Sequence, residues 1–216
     1  RNIGRVLTRL RELNLEQDTF IVYMADHGYS LGQHGRFEKH CCYDPALRVP
    51  LIMRFPGRIK RGAVHDFTES VDVAPTVLDM LGIDPLPVMH GRSLRPYLEG
   101  GKPAVTREHI FSQYLENEEA CIRTHRHKFV LCSGKRSRTD GYIIDDPTPG
   151  RYIRLYDLKK DPGEFTDIAK KEPEVVMRLE HLLLERFQKT HPDADKLPRG
   201  MPAEDAIEWF LRPRDA

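Results

Sequence analysis

One stretch of the chain, residues 19–57, constrains the fold most. An apolar segment at residues 20–24 runs directly into Asp26 and His27, and a second apolar segment follows at 50–54. Neither segment alternates apolar and polar residues, which is typical of strands covered on both faces in a parallel sheet. A helical pattern precedes the first strand, so the order helix, strand, crossover, strand predicts an α/β fold.

The pattern of predicted elements changes at residues 100–103, where Gly-Gly-Lys-Pro marks a boundary. Residues 1–100 carry the α/β elements, and residues 101–190 predict a small α+β subdomain with a four-stranded antiparallel sheet and one amphipathic helix. Residues 191–216, rich in proline and charge, predict an extended tail anchored by its adjacent aromatic residues Trp209 and Phe210. The four strands are expected at 108–114, 119–125, 127–133 and 152–157, and the helix at 173–190.

Helical spacing and capping signals predict further helices at 2–13, 44–48, 73–81 and 91–99. The expected N-caps of the last three are Asp44, Asp72 and Ser93. Residues 64–71 predict a short strand or extended segment, and residues 134–150 predict a mobile or substrate-facing polar excursion.

The composition argues against two classes of partner. The formal net charge is +1, so no global field attracts nucleic acid or an anionic membrane. No apolar run approaches the ~20 residues that span a bilayer, so we expect no membrane span. The chain begins at Arg1 inside a predicted helix, and we therefore expect the true N-terminus elsewhere and infer no compartment.

The four cysteines favour free buried thiols over a metal site or a disulfide. Cys41 and Cys42 are adjacent and poorly placed to bridge each other, and no C-x-x-C spacing suggests a zinc ribbon. A disulfide between two of the four stays open at this point. Cys132, followed by Ser133-Gly134, is interpreted as a structural thiol rather than a nucleophile.

Asp26 and His27 lie where a buried strand ends, the edge at which ligands gather in open α/β sheets. A carboxylate and an imidazole can hold a divalent metal that polarises a substrate oxygen. Gly28 is expected to let the backbone turn sharply after them. Because Ca²⁺ takes about 6–8 oxygen ligands, further carboxylates must come from elsewhere. The alternative is a capping aspartate followed by an exposed histidine.

Lys39 follows on the same loop and suits an anionic substrate. Its ammonium group can neutralise an anionic oxygen or assist the leaving group, unless it is an ordinary solvated lysine. Tyr29 and His34 are candidate substrate contacts; core packing is the alternative for Tyr29, and a structural role is favoured for His34 and for His40. The loop as a whole indicates hydrolysis of a charged ester. The nucleophile is not identified, because neither a G-x-S-x-G elbow nor a P-loop occurs.

The order of motifs over residues 2–170 resembles the second half of type I sulfatases, members of the alkaline phosphatase superfamily. The matching segments are 2–7 (NIGRVL), 25–28 (ADHG), 31–35 (LGQHG), 48–52 (RVPLI), 70–79 (SVDVAPTVLD), 91–94 (GRSL), 155–158 (LYDL) and 161–164 (DPGE).

The resemblance implies a fold and a set of roles. It implies part of an alkaline-phosphatase-like sandwich with a mixed, mostly parallel sheet, followed by the small α+β subdomain. It assigns Asp26 and His27 as metal ligands and Lys39 as the lysine that contacts sulfate. Calcium is the usual metal of the family, with Mn²⁺ or Mg²⁺ as alternatives. The family's nucleophile is a formylglycine made from the cysteine or serine of a C/S-x-P-x-R motif.

This chain contains no C/S-x-P-x-R motif. It therefore resembles the C-terminal half of a sulfatase, and we expect it to be inactive without the N-terminal half of the same enzyme as its partner. The expected substrate is a small-molecule or carbohydrate sulfate ester. The alternatives are a phosphonate monoester hydrolase or phosphodiesterase of the same superfamily, or a fragment that lacks catalytic activity.

Overall fold

The computed structural model describes residues 1–114, 118–133 and 151–212, so the polar excursion predicted at 134–150 lies outside the described residues. In chain order the helices are α1 (Asn2–Glu12), α2 (Asp44–Leu47), α3 (Val73–Leu81), α4 (Arg95–Leu98), α5 (Pro173–Thr190) and α6 (Ala203–Leu211). The strands are β1 (Ile21–Met24), β2 (Leu51–Arg54), β3 (His109–Tyr114), β4 (Glu119–Thr124), β5 (His127–Cys132) and β6 (Tyr152–Asp157). No helix within these ranges is both long and apolar enough to cross a bilayer.

The chain forms two compact units whose boundaries differ from those expected from sequence. The first unit contains Arg1–Asp26 and Val49–Arg107, and the second contains His27–Arg48 and Glu108–Ala216. The loop that carries Lys39 therefore belongs with the C-terminal sheet, although the sequence pattern assigned it to the first 100 residues.

In the first unit, β1 and β2 pair antiparallel, with Ile21 opposite Arg54 and Met24 opposite Leu51. The parallel arrangement expected for these strands is wrong. A parallel pair requires a long crossover, usually a helix packed on the sheet. Here the connection contains only two short turns, Gln33–Gly35 and α2, so it supplies no crossover helix, and β2 returns in the opposite direction.

A buried aspartate joins two of the sequence motifs of the first unit. Asp72 accepts the backbone N–H groups of Glu69 and Arg92, each at 2.8 Å, and the guanidinium of Arg107. Gly91 is required here, because a Cβ at that position would lie 1.9 Å from the carbonyl oxygen of Val71. The SVDVAPT and GRSL segments are thus fixed to each other by an internal polar cluster.

The capping predictions hold in part. α3 has the predicted bounds and ends at Gly82 with φ 71°. Asp72 closes a capping box with Glu69 on the 3₁₀ turn before α3, rather than capping α3 itself. The N-caps predicted at Ser93 and Asp44 are wrong by one residue, because the N-cap of α4 is Leu94 and that of α2 is Tyr43. The hydroxyl of Ser93 still accepts the N–H of Arg95 at 3.1 Å. Residues 64–69 form no strand, and 70–72 form the 3₁₀ turn.

The second unit is built on the four-stranded antiparallel sheet β3-β4-β5-β6, which confirms the predicted strands to within about one residue. Helix α5 also has its predicted bounds. The prediction of an extended tail over residues 191–216 is wrong in part, because residues 203–211 form helix α6. Its Ile207 and Phe210 are fully buried, and Phe210 stacks on Phe187 of α5 at 5.3 Å, which explains the apolar residues at that end of the chain.

Side chains alternate between the two faces of this sheet. One face buries Ile122, Phe129 and Leu155 against α5 and α6. The opposite face presents Cys121, Val130 and Tyr156 to the loop at 41–46, where the two adjacent cysteines are buried. All four cysteines are free and buried, so the thiol prediction is confirmed.

Candidate functional site

The candidate site lies in the loop at residues 27–48 of the second unit, which folds back on itself. The N–H of Ser30 donates to the carbonyl of Glu38 at 2.8 Å, and the N–H of Gly32 donates to Arg36 at 2.8 Å. These two bonds close the loop like a short hairpin. Residue 39 is thereby returned to the start of the loop.

Gly28 is required for a close approach rather than for the expected sharp turn. Its N–H donates to the carbonyl of Ala46 at 2.7 Å, and a Cβ at position 28 would lie 2.0 Å from the carbonyl oxygen of Pro45. The glycines of this loop with positive φ are Gly32 and Gly35 instead. A glycine is therefore required directly after His27 because the backbone of α2 leaves no room for a side chain at position 28.

His27 and Lys39 are in direct contact. The Nδ1 of His27 lies 2.7 Å from the carbonyl oxygen of Gly28, and its Nε2 lies 2.8 Å from the Nζ of Lys39. A carbonyl only accepts, so Nδ1 carries the proton and Nε2 accepts from the ammonium group. The imidazole is therefore held as the neutral Nδ1–H tautomer, with its Nε2 lone pair directed at Lys39.

Two donors for a metal come from consecutive residues. Asp26 is exposed and precedes His27 in the chain. Within the described ranges, no group of three or more His, Cys, Asp or Glu side chains is arranged to hold a metal ion. A carboxylate and an imidazole nitrogen are ligand types that fit a divalent cation, but Nε2 of His27 accepts from Lys39 in this structure, and the two side chains supply only part of a coordination shell.

The other predicted site residues contact different groups. Tyr29 is 45% exposed and its hydroxyl donates to the carbonyl of Phe37 at 2.8 Å, which argues against core packing. His34 stacks on Tyr43 with ring centroids 3.7 Å apart, and its φ is 56°. His40 stacks on Tyr114 at 5.1 Å. The structure thus brings Lys39 to His27 and gives both other histidines aromatic partners.

Two carboxylates from the C-terminal part of the chain accept backbone N–H groups of the loop. Glu119 accepts from Cys42 at 3.2 Å, and Glu164 accepts from Asp44 at 2.8 Å. Glu164 belongs to the DPGE segment. These bonds anchor the part of the loop that follows Lys39 in the chain. The sequence did not predict this role for Glu119 and Glu164, because each lies far along the chain from the residue that it binds.

A buried cluster of charges surrounds the second anchor. The Nζ of Lys128 lies 3.1 Å from Asp44 and 2.6 Å from Glu164, and Arg123 also pairs with Asp44. Burial lowers the pKa of Lys128, but acidic neighbours including Glu164 and Asp44 outweigh this and raise it above its ordinary value. Burial raises the pKa of Glu164, although Lys128 opposes the shift.

Sequence reasoning also missed Lys128 itself. The available signal was a lysine within a predicted strand, directly before the apolar residues 129–132 (FVLC). A fully buried lysine requires charge partners, and the partners here come from the loop and from the DPGE segment.

Comparison with known proteins, by family model and by sequence, finds sulfatases. The family model described as N-sulphoglucosamine sulphohydrolase, C-terminal, matches residues 32–190. The chain is 35% identical over 204 residues to the N-acetylglucosamine-6-O-sulfatase of Bacteroides thetaiotaomicron, covering 90% of this chain and 34% of that protein. The chain spans about a third of the length of such curated relatives.

Two solved structures resemble the chain over most of its length. One is a protein in complex with its substrate D-glucosamine-2-N,6-O-disulfate, with a TM-score of 0.71 and 32% identity, covering 90% of this chain and 39% of that one. The other is a phosphonate monoester hydrolase from Silicibacter pomeroyi, with a TM-score of 0.74 and 30% identity, covering 90% and 40%. These neighbours have the alkaline-phosphatase-like fold.

Proposed function

Because the chain belongs to the sulfatase family whose C-terminal model matches residues 32–190, we propose that it is the C-terminal portion of an enzyme that hydrolyses a sulfate ester. The observation that carries this proposal is the 2.8 Å contact between Lys39 and His27. It joins the proposed sulfate-binding cation to a proposed metal ligand. A sulfate ester offers an anionic oxygen to each of them.

In this proposal Asp26 and His27 hold a divalent metal, Ca²⁺ in the first instance and Mn²⁺ or Mg²⁺ as alternatives. The metal, when bound, supplies a Lewis acid for a sulfate oxygen. Asp26 contributes carboxylate oxygens, and His27 contributes Nε2, the nitrogen that carries no proton in the tautomer whose Nδ1–H donates to Gly28. Because the described residues contain no group of three or more such donors, the proposal takes the remaining ligands from the N-terminal half of the enzyme.

Lys39 neutralises charge on a non-bridging oxygen of the sulfate group, and its ammonium donates a hydrogen bond to that oxygen. In this proposal Lys39 also assists the departing alkoxide. Tyr29, with its exposed ring, and His34 contribute to the surface that receives the rest of the substrate. The nucleophile, a formylglycine by family likeness, belongs to the N-terminal half of the enzyme, which this chain requires as its partner.

The substrate class is a carbohydrate sulfate ester. The N-acetylglucosamine-6-O-sulfatase and the glucosamine disulfate complex support this choice, since both relatives act on or bind sulfated amino sugars by name. A second candidate function is hydrolysis of phosphonate monoesters. The 30% identity and TM-score of 0.74 with the Silicibacter enzyme favour it as the alternative.

The function is tested with the protein that includes the proposed N-terminal half. Turnover of 4-nitrophenyl sulfate, glucosamine-6-sulfate and a phenyl phosphonate monoester is compared under identical conditions. We expect kcat/KM to be highest for a sulfate ester. Preferred turnover of the phosphonate would establish the alternative, and turnover of none of the three would refute both hydrolase assignments.

The metal assignment is tested with Asp26→Ala. Loss of a carboxylate ligand should remove most of the bound metal and most of the activity. Metal content measured by atomic emission reports the first effect independently of turnover. Asp84→Ala, at another exposed aspartate, is the matched control and should retain the metal. Unchanged metal content in Asp26→Ala would contradict the assignment.

A further inference from the structure

A groove in the second unit is lined, apart from His34, by residues to which the proposed function gives no role. Its volume is about 460 Å³, within the usual range of small-molecule sites. It is open to solvent on one side. Its lining residues are His34, Tyr43, Arg154, Tyr156, Glu164, Phe165 and Asp167.

One wall of the groove is a stack of three aromatic rings. Tyr43 is buried, His34 stacks on it at 3.7 Å, and Phe165 stacks on His34 at 4.9 Å with the ring planes 26° apart. Phe165 is nevertheless 73% exposed, so the stack ends in an apolar ring that faces solvent. Gly163 leaves room for this position of the Phe165 ring, because a Cβ there would lie 2.5 Å from the ring.

The groove also presents one cation and one carboxylate in fixed positions. Arg154 donates to the hydroxyl of Tyr43 and lies over the ring of Tyr152 at 4.6 Å. Asp167 accepts the N–H groups of Leu155 at 3.0 Å and Ala169 at 2.9 Å, both through Oδ1. Its other oxygen can accept from a ligand. The second carboxylate of the groove, Glu164, is neutralised by Lys128.

From these features we infer that the groove binds a neutral pyranose ring, the sugar adjacent to the sulfated sugar in a carbohydrate substrate. A pyranose has an apolar face that can pack on Phe165 and hydroxyl groups that need both a donor and an acceptor. Arg154 and Asp167 supply one of each, and their opposite charges favour a neutral ring over a sulfated one. The choice of a carbohydrate rests on the proposed function.

The first test is binding of an unsulfated N-acetylglucosamine trisaccharide, followed by saturation-transfer NMR and titration. We expect Phe165→Ala to weaken binding about tenfold, because the stacking surface is lost while the exposed position tolerates the change. Phe37→Ala is the matched control: Phe37 is 65% exposed, lies on the site loop and does not line the groove. It should bind the sugar as the unmodified protein does.

Absence of trisaccharide binding, or equal binding by Phe165→Ala, would overturn the inference. The second test separates it from the proposed function. In the protein that includes the proposed N-terminal half, Phe165→Ala should raise KM for a sulfated disaccharide about tenfold and leave kcat, and all turnover of 4-nitrophenyl sulfate, unchanged. Sugar binding without any sulfatase activity would refute the proposed function and retain the groove. Sulfatase activity without sugar binding would refute the groove as a sugar site and retain the proposed function.

Discussion

Lys39 donates to an imidazole nitrogen, and this partner differs in an important way from a carboxylate. A neutral imidazole does not compensate the charge of an ammonium group, so Lys39 keeps a net positive charge that can attract an oxyanion. Arg36, another cation of the same loop, differs because it is buried and its charge is compensated by a 2.8 Å ion pair with Glu38. The residue type and its pairing together support Lys39 as the sulfate contact.

Replacing this lysine tests the role directly. We expect Lys39→Met to lower kcat/KM for a sulfate ester by roughly 100-fold or more, because a cation that stabilises developing negative charge is removed. Metal content should be unchanged. The matched control is Lys159→Met, at an exposed position just after the end of β6, which should retain full activity. Full activity in Lys39→Met would refute the role.

At the level of elements, the site loop is held by contacts of three kinds. Its own backbone bonds close it, Gly28 brings it against α2, and Glu119 and Glu164 accept its N–H groups. The anchored segment covers one face of the four-stranded sheet. The position of Lys39 therefore depends on the sheet as well as on the loop.

Gly28→Ala tests the close approach. The added methyl group would overlap the carbonyl of Pro45, so the backbone must shift and the Gly28–Ala46 bond must lengthen. We expect a loss of roughly 1–3 kcal/mol in the free energy of unfolding, measured by urea denaturation. Gly62→Ala is the control, since a Cβ there meets nothing within 4 Å. Equal stability of the two variants would contradict the interpretation.

Lys128→Met tests the buried charge cluster. The variant leaves the buried Glu164 without its cation and leaves the half-buried Asp44 with Arg123 alone, and we expect a loss of about 3–5 kcal/mol in the free energy of unfolding. The double variant Lys128→Met with Glu164→Gln removes one uncompensated charge and should be more stable than the single one. If the single variant unfolds at the same urea concentration as the unmodified protein, the cluster does not stabilise the fold.

How well the sequence predicted each element depended on the range of the interactions that determine it. Strands β3 to β6 and helix α5 were predicted because their periodicity is local. The antiparallel pairing of β1 with β2 was missed, since their apolar composition carries no information on direction. Helix α6 was missed because nine helical residues between proline-containing segments resemble a charged tail, and its burial against α5 is visible only in the fold.

At the scale of the whole molecule, the chain spans about a third of its curated relatives. Its first unit contains a sheet of two strands, on which Tyr23 and Ile52 are largely exposed. We propose that the N-terminal half of the enzyme completes this sheet. Asp26, His27 and Lys39 were identified from their positions at and after the end of a buried strand and from motif order. The residues that anchor the loop, Glu119, Glu164 and Lys128, were not, because their pairings join distant parts of the chain and periodicity does not reveal them.

The central claim is that one metal ion and one sulfate group share the site formed by Asp26, His27 and Lys39. The most direct measurement is a crystal structure of the protein with its proposed N-terminal half, grown with Ca²⁺ and sulfate. The account predicts a metal ion bound to the Asp26 carboxylate and to Nε2 of His27, with a sulfate oxygen at hydrogen-bond distance from Nζ of Lys39. Metal and sulfate bound elsewhere, with Lys39 still paired to His27, would contradict it.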